Sequence, residues 1–151
     1  MIKHIWSVLC LKSSVDNQTN NISLFDIFEQ LEVKITKMEG VDIPEGKINI
    51  GLSYELVNYW VKIGSVGEEK IDIKIDLMDP SNTTIKTITK ELIIPENIKR
   101  MREVNKIQGI SISQSGIYWI SVKIKNGENY EEKANVPFEV IINKISKEAL
   151  S

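Results

Sequence analysis

Apolar and charged residues alternate without a break over residues 70–77 (Lys-Ile-Asp-Ile-Lys-Ile-Asp-Leu). Successive side chains of a β-strand point to opposite faces, so this pattern predicts a strand with one buried face and one solvated face. On a helix the same residues would scatter around the axis and bury lysine and aspartate beside the isoleucines. The stretch therefore predicts a strand, with Asp76 on its solvated face, and the same theme recurs along the chain.

The length of 151 residues is that of one domain. A domain of this size buries roughly 70% of the surface that its unfolded chain exposes, so it needs no disulfide or metal for stability. Isoleucine dominates the apolar fraction of 42%, and β-branched side chains favour strands. We predict a single domain over residues 1–143, followed by a polar C-terminal tail over residues 144–151.

Turn residues separate the apolar runs, and none of the runs requires a long helix. The predicted strands cover residues 4–13, 22–35, 48–63, 70–78, 85–94, 104–113 and 117–125, with a last strand around Phe138, Val140 and Ile142. Eight or nine short strands predict an all-β fold, a two-sheet antiparallel β-sandwich of immunoglobulin-like or C2-like type. An antiparallel barrel is the alternative.

Residues 23–31 fit both helical and strand spacing. As a strand, this segment would pair with the first strand in a hairpin, with a bulge near Glu29, the residue that is out of phase. Residues 38–47 are predicted to form a loop, and residues 96–103 a loop that crosses between strands.

Two turns carry specific signals. Asn126-Gly127 predicts a hairpin, because both residues accept the positive φ of a type I′ turn. Gly116-Ile-Tyr118, after a polar corner, is typical of the tyrosine corner of Greek-key folds, in which the tyrosine hydroxyl bonds to nearby backbone.

The net charge of −2 excludes the bulk positive charge of a nucleic-acid-binding protein. Lys99, Arg100 and Arg102 form one local cluster, with Lys106 beyond it, and we interpret it as a solvated loop because no aromatic platform accompanies it in the sequence. No apolar run approaches the roughly 20 residues of a membrane span. No signal peptide is predicted, so we expect a cytoplasmic protein without nucleic-acid or membrane partners.

Residue types that carry chemistry are sparse. The lone Cys10 is expected to be a buried, inert thiol, and the lone His4 would lie about 20 Å from it along a strand. Asp76, Asp79 and Asn82 offer three oxygen ligands where calcium needs six to eight. We therefore predict no catalytic, cofactor-binding or metal site, although an enzyme with a pocket built from loops remains the alternative.

Tryptophans are the remaining candidates for function. Trp119 is out of phase with Tyr118 and Ile120, so it should face outward beside Ile117, and Trp60 has a similar ambiguity with its neighbour Tyr59. Trp119, Ile117 and Trp60 form a possible interaction surface for a protein partner or for self-association in a homo-oligomer. Cover from a loop is the alternative for Trp119.

Several segments resemble one family of small uncharacterised bacterial proteins. The segments are residues 4–10 (His-Ile-Trp-Ser-Val-Leu-Cys), 16–21 (Asp-Asn-Gln-Thr-Asn-Asn), 22–31 (Ile-Ser-Leu-Phe-Asp-Ile-Phe-Glu-Gln-Leu), 77–80 (Leu-Met-Asp-Pro) and the Gly116-x-Tyr118 strand. The resemblance implies a bacterial β-sandwich of unknown function and supplies no catalytic residues. A non-catalytic binding or assembly module is therefore the leading hypothesis, and a component of a phage-related or defence assembly is a further one.

Overall fold

A computed structural model describes residues 1–37 and 46–146, and in these ranges the chain forms nine β-strands and no helix. The strands are β1 (Ile2–Val15), β2 (Ile22–Ile27), β3 (Gln30–Lys37), β4 (Ile48–Lys62), β5 (Glu69–Met78), β6 (Thr84–Ile94), β7 (Arg100–Ile112), β8 (Gly116–Asn126) and β9 (Asn129–Ser146). The predicted all-β class with eight or nine strands is confirmed.

The strands form two sheets. The four-stranded sheet has the order β2-β1-β4-β7 and is antiparallel throughout. The five-stranded sheet has the order β3-β9-β8-β5-β6, is curled, and contains one parallel pair, β3 with β9. Both sheets contribute buried side chains to one apolar core, in which the largest members are Trp60, Tyr54, Tyr118 and Phe138.

The segment 22–35 does not form one strand. β2 pairs with β1, as predicted, but β3 belongs to the other sheet, and the chain passes between the sheets at Phe28 and Glu29. Phe28 is buried there, and its ring centroid lies 5.8 Å from that of Tyr54 and 5.2 Å from that of Phe138. The predicted bulge near Glu29 is therefore wrong, and the change of phase at that residue marks a change of sheet.

The alternating stretch forms β5; Ile73, Ile75 and Leu77 are buried as predicted, and Ile71 is partly buried. Asp76 is only 2% exposed, however, so its predicted solvated position is wrong. Thr87 Oγ1 donates to its carboxylate at 2.7 Å and Lys123 Nζ at 2.8 Å, both from neighbouring strands. Burial alone would raise the pKa of Asp76, but these hydrogen bonds and the charges of Lys123 and Lys74 outweigh burial and lower it.

The tyrosine corner is confirmed. The Tyr118 hydroxyl donates to the carbonyl oxygen of Gln114 at 2.9 Å, across the turn between β7 and β8. Gly116 in this turn has φ of +140°, and a Cβ there would lie 2.9 Å from Pro80 Cγ, so only glycine fits.

The hairpin between β8 and β9 is also confirmed, with a different register from the predicted one. Asn126 pairs with Asn129, so Gly127 and Glu128 are the two central residues of the turn. Gly127 alone has positive φ, at 64°, as in a type II′ turn rather than type I′.

Two predicted boundaries are wrong. β7 begins at Arg100, so most of the cluster of positive charge lies on a strand rather than in a crossing loop. Residues 144–146 continue β9 in register with β3, because β3 extends far enough to pair with them, and so they are not tail. The rest of the predicted tail and most of the predicted loop over 38–47 lie outside the described residues.

Candidate functional site

Three large side chains lie next to one another across the four-stranded sheet. Trp6 on β1 is in register with Tyr59 on β4, and Tyr59 with Arg102 on β7. The Trp6 and Tyr59 rings stack with their centroids 5.4 Å apart and their planes 25° apart. Because side chains alternate along a strand, Tyr59 lies on the face opposite to that of the buried Trp60.

The turn between β1 and β2 folds back over this face. Arg102 Nη1 donates to the carbonyl oxygen of Asn20 at 2.6 Å, and Nη2 donates to Asn20 Oδ1 at 2.8 Å. Asp16 shapes the turn by accepting hydrogen bonds from the backbone N–H groups of Gln18 and Thr19, both at 2.8 Å, and these bonds lower the pKa of Asp16. The guanidinium of Arg102 therefore joins the hairpin tip to the sheet.

A buried lysine positions the opposite wall, formed by the connection between β6 and β7. Lys62 is 5% exposed, and its ammonium donates to the carbonyl oxygens of Gly67, Pro95 and Glu96 at 2.7, 2.8 and 2.9 Å. Its backbone N–H also donates to the carbonyl oxygen of Lys99 at 2.9 Å. Three carbonyl dipoles thus satisfy all three donors of the ammonium and hold this connection in place.

A cleft of about 650 Å³ lies between the hairpin tip and this connection. It is lined by Trp6, Thr19, Asn20, Asn21, Ile22, Tyr59, Asn97, Ile98, Lys99, Arg100 and Arg102. Three of these residues are cations and none is acidic, and none of the ion pairs among the described residues involves these cations. Because the whole chain has a net charge of −2, removing these three positive charges leaves −5 for the rest. The cleft is therefore a positive, partly aromatic site on a negative molecule.

The structure changes the interpretation of the cluster at Lys99, Arg100 and Arg102. We expected a solvated loop because no aromatic residue accompanies the cluster in the sequence. Trp6 and Tyr59 are far from it along the chain, and the register of β1, β4 and β7 brings them beside Arg102. The predicted loop is wrong from Arg100 onward, although Lys99, Arg100 and Lys106 are exposed as predicted. No local signal in the sequence points to the aromatic neighbours.

The predicted interaction surface of Trp119, Ile117 and Trp60 is divided by the fold. Trp60 is fully buried, and its indole N–H donates to Glu103 Oε2 at 2.9 Å, so its predicted place in an interaction surface is wrong. Ile117 is 41% exposed and Trp119 is half-buried, both on β8 of the other sheet and outside the cleft. An interaction surface at Trp119 and Ile117 stays a prediction.

A serine and a histidine lie close together on β1, but their hydrogen bonds do not make a nucleophile and base. His4 Nε2 is 2.8 Å from Ser7 Oγ, and Ser7 Oγ donates to Asn58 Oδ1 at 2.6 Å. The orientation of Asn58 follows from Glu103, whose carboxylate can only accept and takes a hydrogen bond from Asn58 Nδ2 at 3.1 Å. Since the single serine proton goes to Asn58, His4 donates to Ser7 and cannot take its proton.

This set of side chains instead connects the two sheets. Glu103 on β7 forms an ion pair with Lys90 on β6, which belongs to the other sheet. The imidazole of His4 packs edge-on against the Trp60 ring, with the ring centroids 4.9 Å apart. Burial lowers the pKa of His4 below 6.5, which keeps the ring neutral near pH 7. We interpret these contacts as a structural network.

The remaining candidates are the cysteine and the acidic side chains. Cys10 is fully buried as predicted, and burial raises the pKa of its thiol. Within residues 1–37 and 46–146, no group of three or more histidine, cysteine, aspartate or glutamate side chains could hold a metal ion.

Comparisons with models of protein families and with curated protein sequences find no match to this chain. The resemblance to small bacterial proteins stays a prediction. No helix long and apolar enough for a membrane span occurs in the part of the chain that the structure describes.

Proposed function

We propose that this chain is a non-catalytic binding or assembly module that holds a protein partner in the cleft. The observation that supports this most is the composition of the cleft, a stacked aromatic pair beside three cations with no acidic side chain in its lining. Aromatic residues and arginine are enriched at protein interfaces and at their energetic hot spots. Both walls are held by polar contacts, of Arg102 and Lys62, so the site is largely preformed.

The strand order supports the immunoglobulin-like form of the predicted sandwich. β9, β8, β5 and β6 follow the order of strands G, F, C and C′ of a variable-type domain, and β1, β4 and β7 follow A, B and E. The tyrosine corner at Tyr118 then falls near the start of strand F, where immunoglobulin domains have it. A C2-like sandwich is the alternative.

A reducing compartment suits this chain, because its one cysteine is a free and fully buried thiol. Together with the resemblance to bacterial proteins, this supports a cytoplasmic protein of a bacterium. Absence of catalysis is part of the proposal, and the direction of the hydrogen bond between His4 and Ser7 supports it.

A second surface for the same function is the Trp119 and Ile117 face of β8. It is favoured by the exposure of Ile117, which also lines an apolar groove of about 510 Å³ with Ile27, Val136 and Pro137. Self-association through this face would make the chain a homo-oligomer.

Capture of partners from a lysate of the host distinguishes the two surfaces. Tagged protein is compared with Tyr59→Ser, which removes half of the stacked pair, and with Trp119→Ser, after circular dichroism shows that both variants fold. A stoichiometric protein lost in Tyr59→Ser and retained in Trp119→Ser would support the cleft. Loss in Trp119→Ser alone would place binding on β8, and capture that both variants retain would contradict both surfaces.

A further inference from the structure

We propose that the ligand of the cleft is an extended, acidic peptide segment of a partner protein, with carboxylates at alternate positions. This inference rests on the proposed function, since it names the chemistry that the same cleft would recognise. Its carboxylates would pair with Arg100, Arg102 and Lys99, and an apolar side chain at a further alternate position, on the same face of the peptide, would pack against Trp6 and Tyr59.

The spacing of the arginines carries the first step. Arg100 and Arg102 lie two residues apart on β7, so both project from the same face of the strand. Their Cα atoms are roughly 6.5–7 Å apart. An extended peptide has the same period of two, so alternate acidic side chains would meet successive arginines. Guanidinium groups bind carboxylates with two parallel hydrogen bonds. Arg102 already donates two N–H groups to Asn20, and the three that remain are available to a carboxylate.

The aromatic pair carries the second step. Trp6 and Tyr59 stack on each other, and this leaves no slot between the two rings for a planar base. Their outer surfaces, beside Ile22 and Ile98, offer apolar contact to a side chain from above. The side-chain amides of Asn20, Asn21 and Asn97 line the same cleft and can bond to the main chain of a peptide.

The charge outside the cleft decides between a peptide and a single-stranded nucleic acid. A nucleic acid carries a negative charge on every nucleotide, so its strand would continue beyond the three cations over a surface whose remaining formal charge is −5. A short acidic segment needs positive potential only within the cleft. The distribution of charge therefore favours the peptide.

The test measures binding of a fluorescently labelled probe by anisotropy. The probe is a short peptide with glutamate at two successive alternate positions, phenylalanine at the next alternate position and serine between them, so that the glutamates and the phenylalanine share one face. Its controls are the same peptide with glutamine in place of glutamate and a labelled oligothymidine of equal charge. We expect the acidic peptide to bind at least about tenfold more tightly than either control, and its affinity to fall as salt rises from about 0.05 to 0.3 M.

Charge reversal in the protein locates the binding. Arg100→Glu should weaken binding of the acidic peptide at least about tenfold, because Arg100 is exposed, lines the cleft and is not needed for either wall. Lys106→Glu is the matched control, since Lys106 is an exposed cation on the same strand outside the cleft. An equal loss in both variants would show long-range attraction alone and would overturn the inference.

Other outcomes also overturn it, and they separate its failure from failure of the proposed function. Tighter binding of oligothymidine would make the ligand a nucleic acid. Equal binding of the glutamine peptide, lost in Tyr59→Ser, would keep a binding cleft but reject an acidic ligand. Concentration-dependent self-association in sedimentation, lost in Arg100→Glu, would make the occupant a second copy of the chain. Failure of every peptide to bind, with no cleft-dependent capture from lysate, would reject the proposed function as well.

Discussion

Replacing Glu103 tests whether the buried polar network stabilises the fold. Its carboxylate Oε2 accepts hydrogen bonds from Trp60 Nε1 at 2.9 Å and from Asn58 Nδ2 at 3.1 Å, and the group also pairs with Lys90. Glu103→Ala would leave two buried donors without an acceptor, at about 1–3 kcal/mol each, and would remove the ion pair between the sheets. We expect the free energy of unfolding to fall by about 3–5 kcal/mol.

The isosteric variant separates the hydrogen bonds from the charge. In Glu103→Gln the amide oxygen can still accept from Trp60 and Asn58, but its NH₂ group then faces the ammonium of Lys90. Because Lys90 is 35% exposed, water screens part of this repulsion. We expect a loss of about 1–2 kcal/mol, smaller than in the alanine variant.

Urea unfolding, followed by circular dichroism and tryptophan fluorescence, measures these losses. With an m-value of about 2 kcal/mol per molar, Glu103→Ala should lower the midpoint by about 2 M. Glu91→Ala is the control, because Glu91 is exposed on a strand and should change the midpoint little. A loss below about 1 kcal/mol in Glu103→Ala, or an equal loss in Glu91→Ala, would refute the reasoning.

Three further changes have defined outcomes. Tyr118→Phe should lower the free energy of unfolding by about 1 kcal/mol, and an unchanged midpoint in urea would contradict the tyrosine corner. Because burial lowers the pKa of His4 in the folded state, the unfolded state binds the proton more readily; stability measured against pH should therefore decline as pH falls through 6.5, and His4→Gln should flatten this decline. Lys62→Met leaves three carbonyls without the ammonium, so unfolding should become easier by about 1–3 kcal/mol. In the same variant the amide hydrogen of Ile98, which donates to the carbonyl oxygen of Pro95, should exchange faster with solvent, and unchanged exchange would argue against a positioning role.

Local rules predicted the local features of this fold. Alternation predicted β5, and the glycine-containing corner before Tyr118 predicted a hydrogen bond that the structure contains. These features depend on residues that are neighbours along the chain. The position of the turn at Gly127 was predicted one residue too early. Asn126-Gly127 and Gly127-Glu128 both contain a residue that tolerates positive φ, so local sequence does not distinguish the two registers.

Features that depend on strand pairing could not be predicted. The exposure of Asp76 depends on Thr87 and Lys123, which reach it only through the order β8-β5-β6. The cleft needs the registers that align Trp6, Tyr59 and Arg102, and a shift of one residue would turn Tyr59 to the other face. Sequence periodicity shows that a strand has two faces, but it does not show which strand lies beside it.

The parallel pairing of β3 and β9 has a mechanical consequence. Tension applied between the start of β3, at Gln30, and the end of β9, at Ser146, pulls the two strands at opposite ends of a parallel pair. The force then acts along the strands, across hydrogen bonds that run between them, and it loads the eight register pairs together rather than one after another. An antiparallel pair pulled at one shared end would break its hydrogen bonds one after another, starting from that end. The pairing of β3 with β9 therefore resists stretching between these two points more strongly than an antiparallel pair of the same length pulled at one shared end.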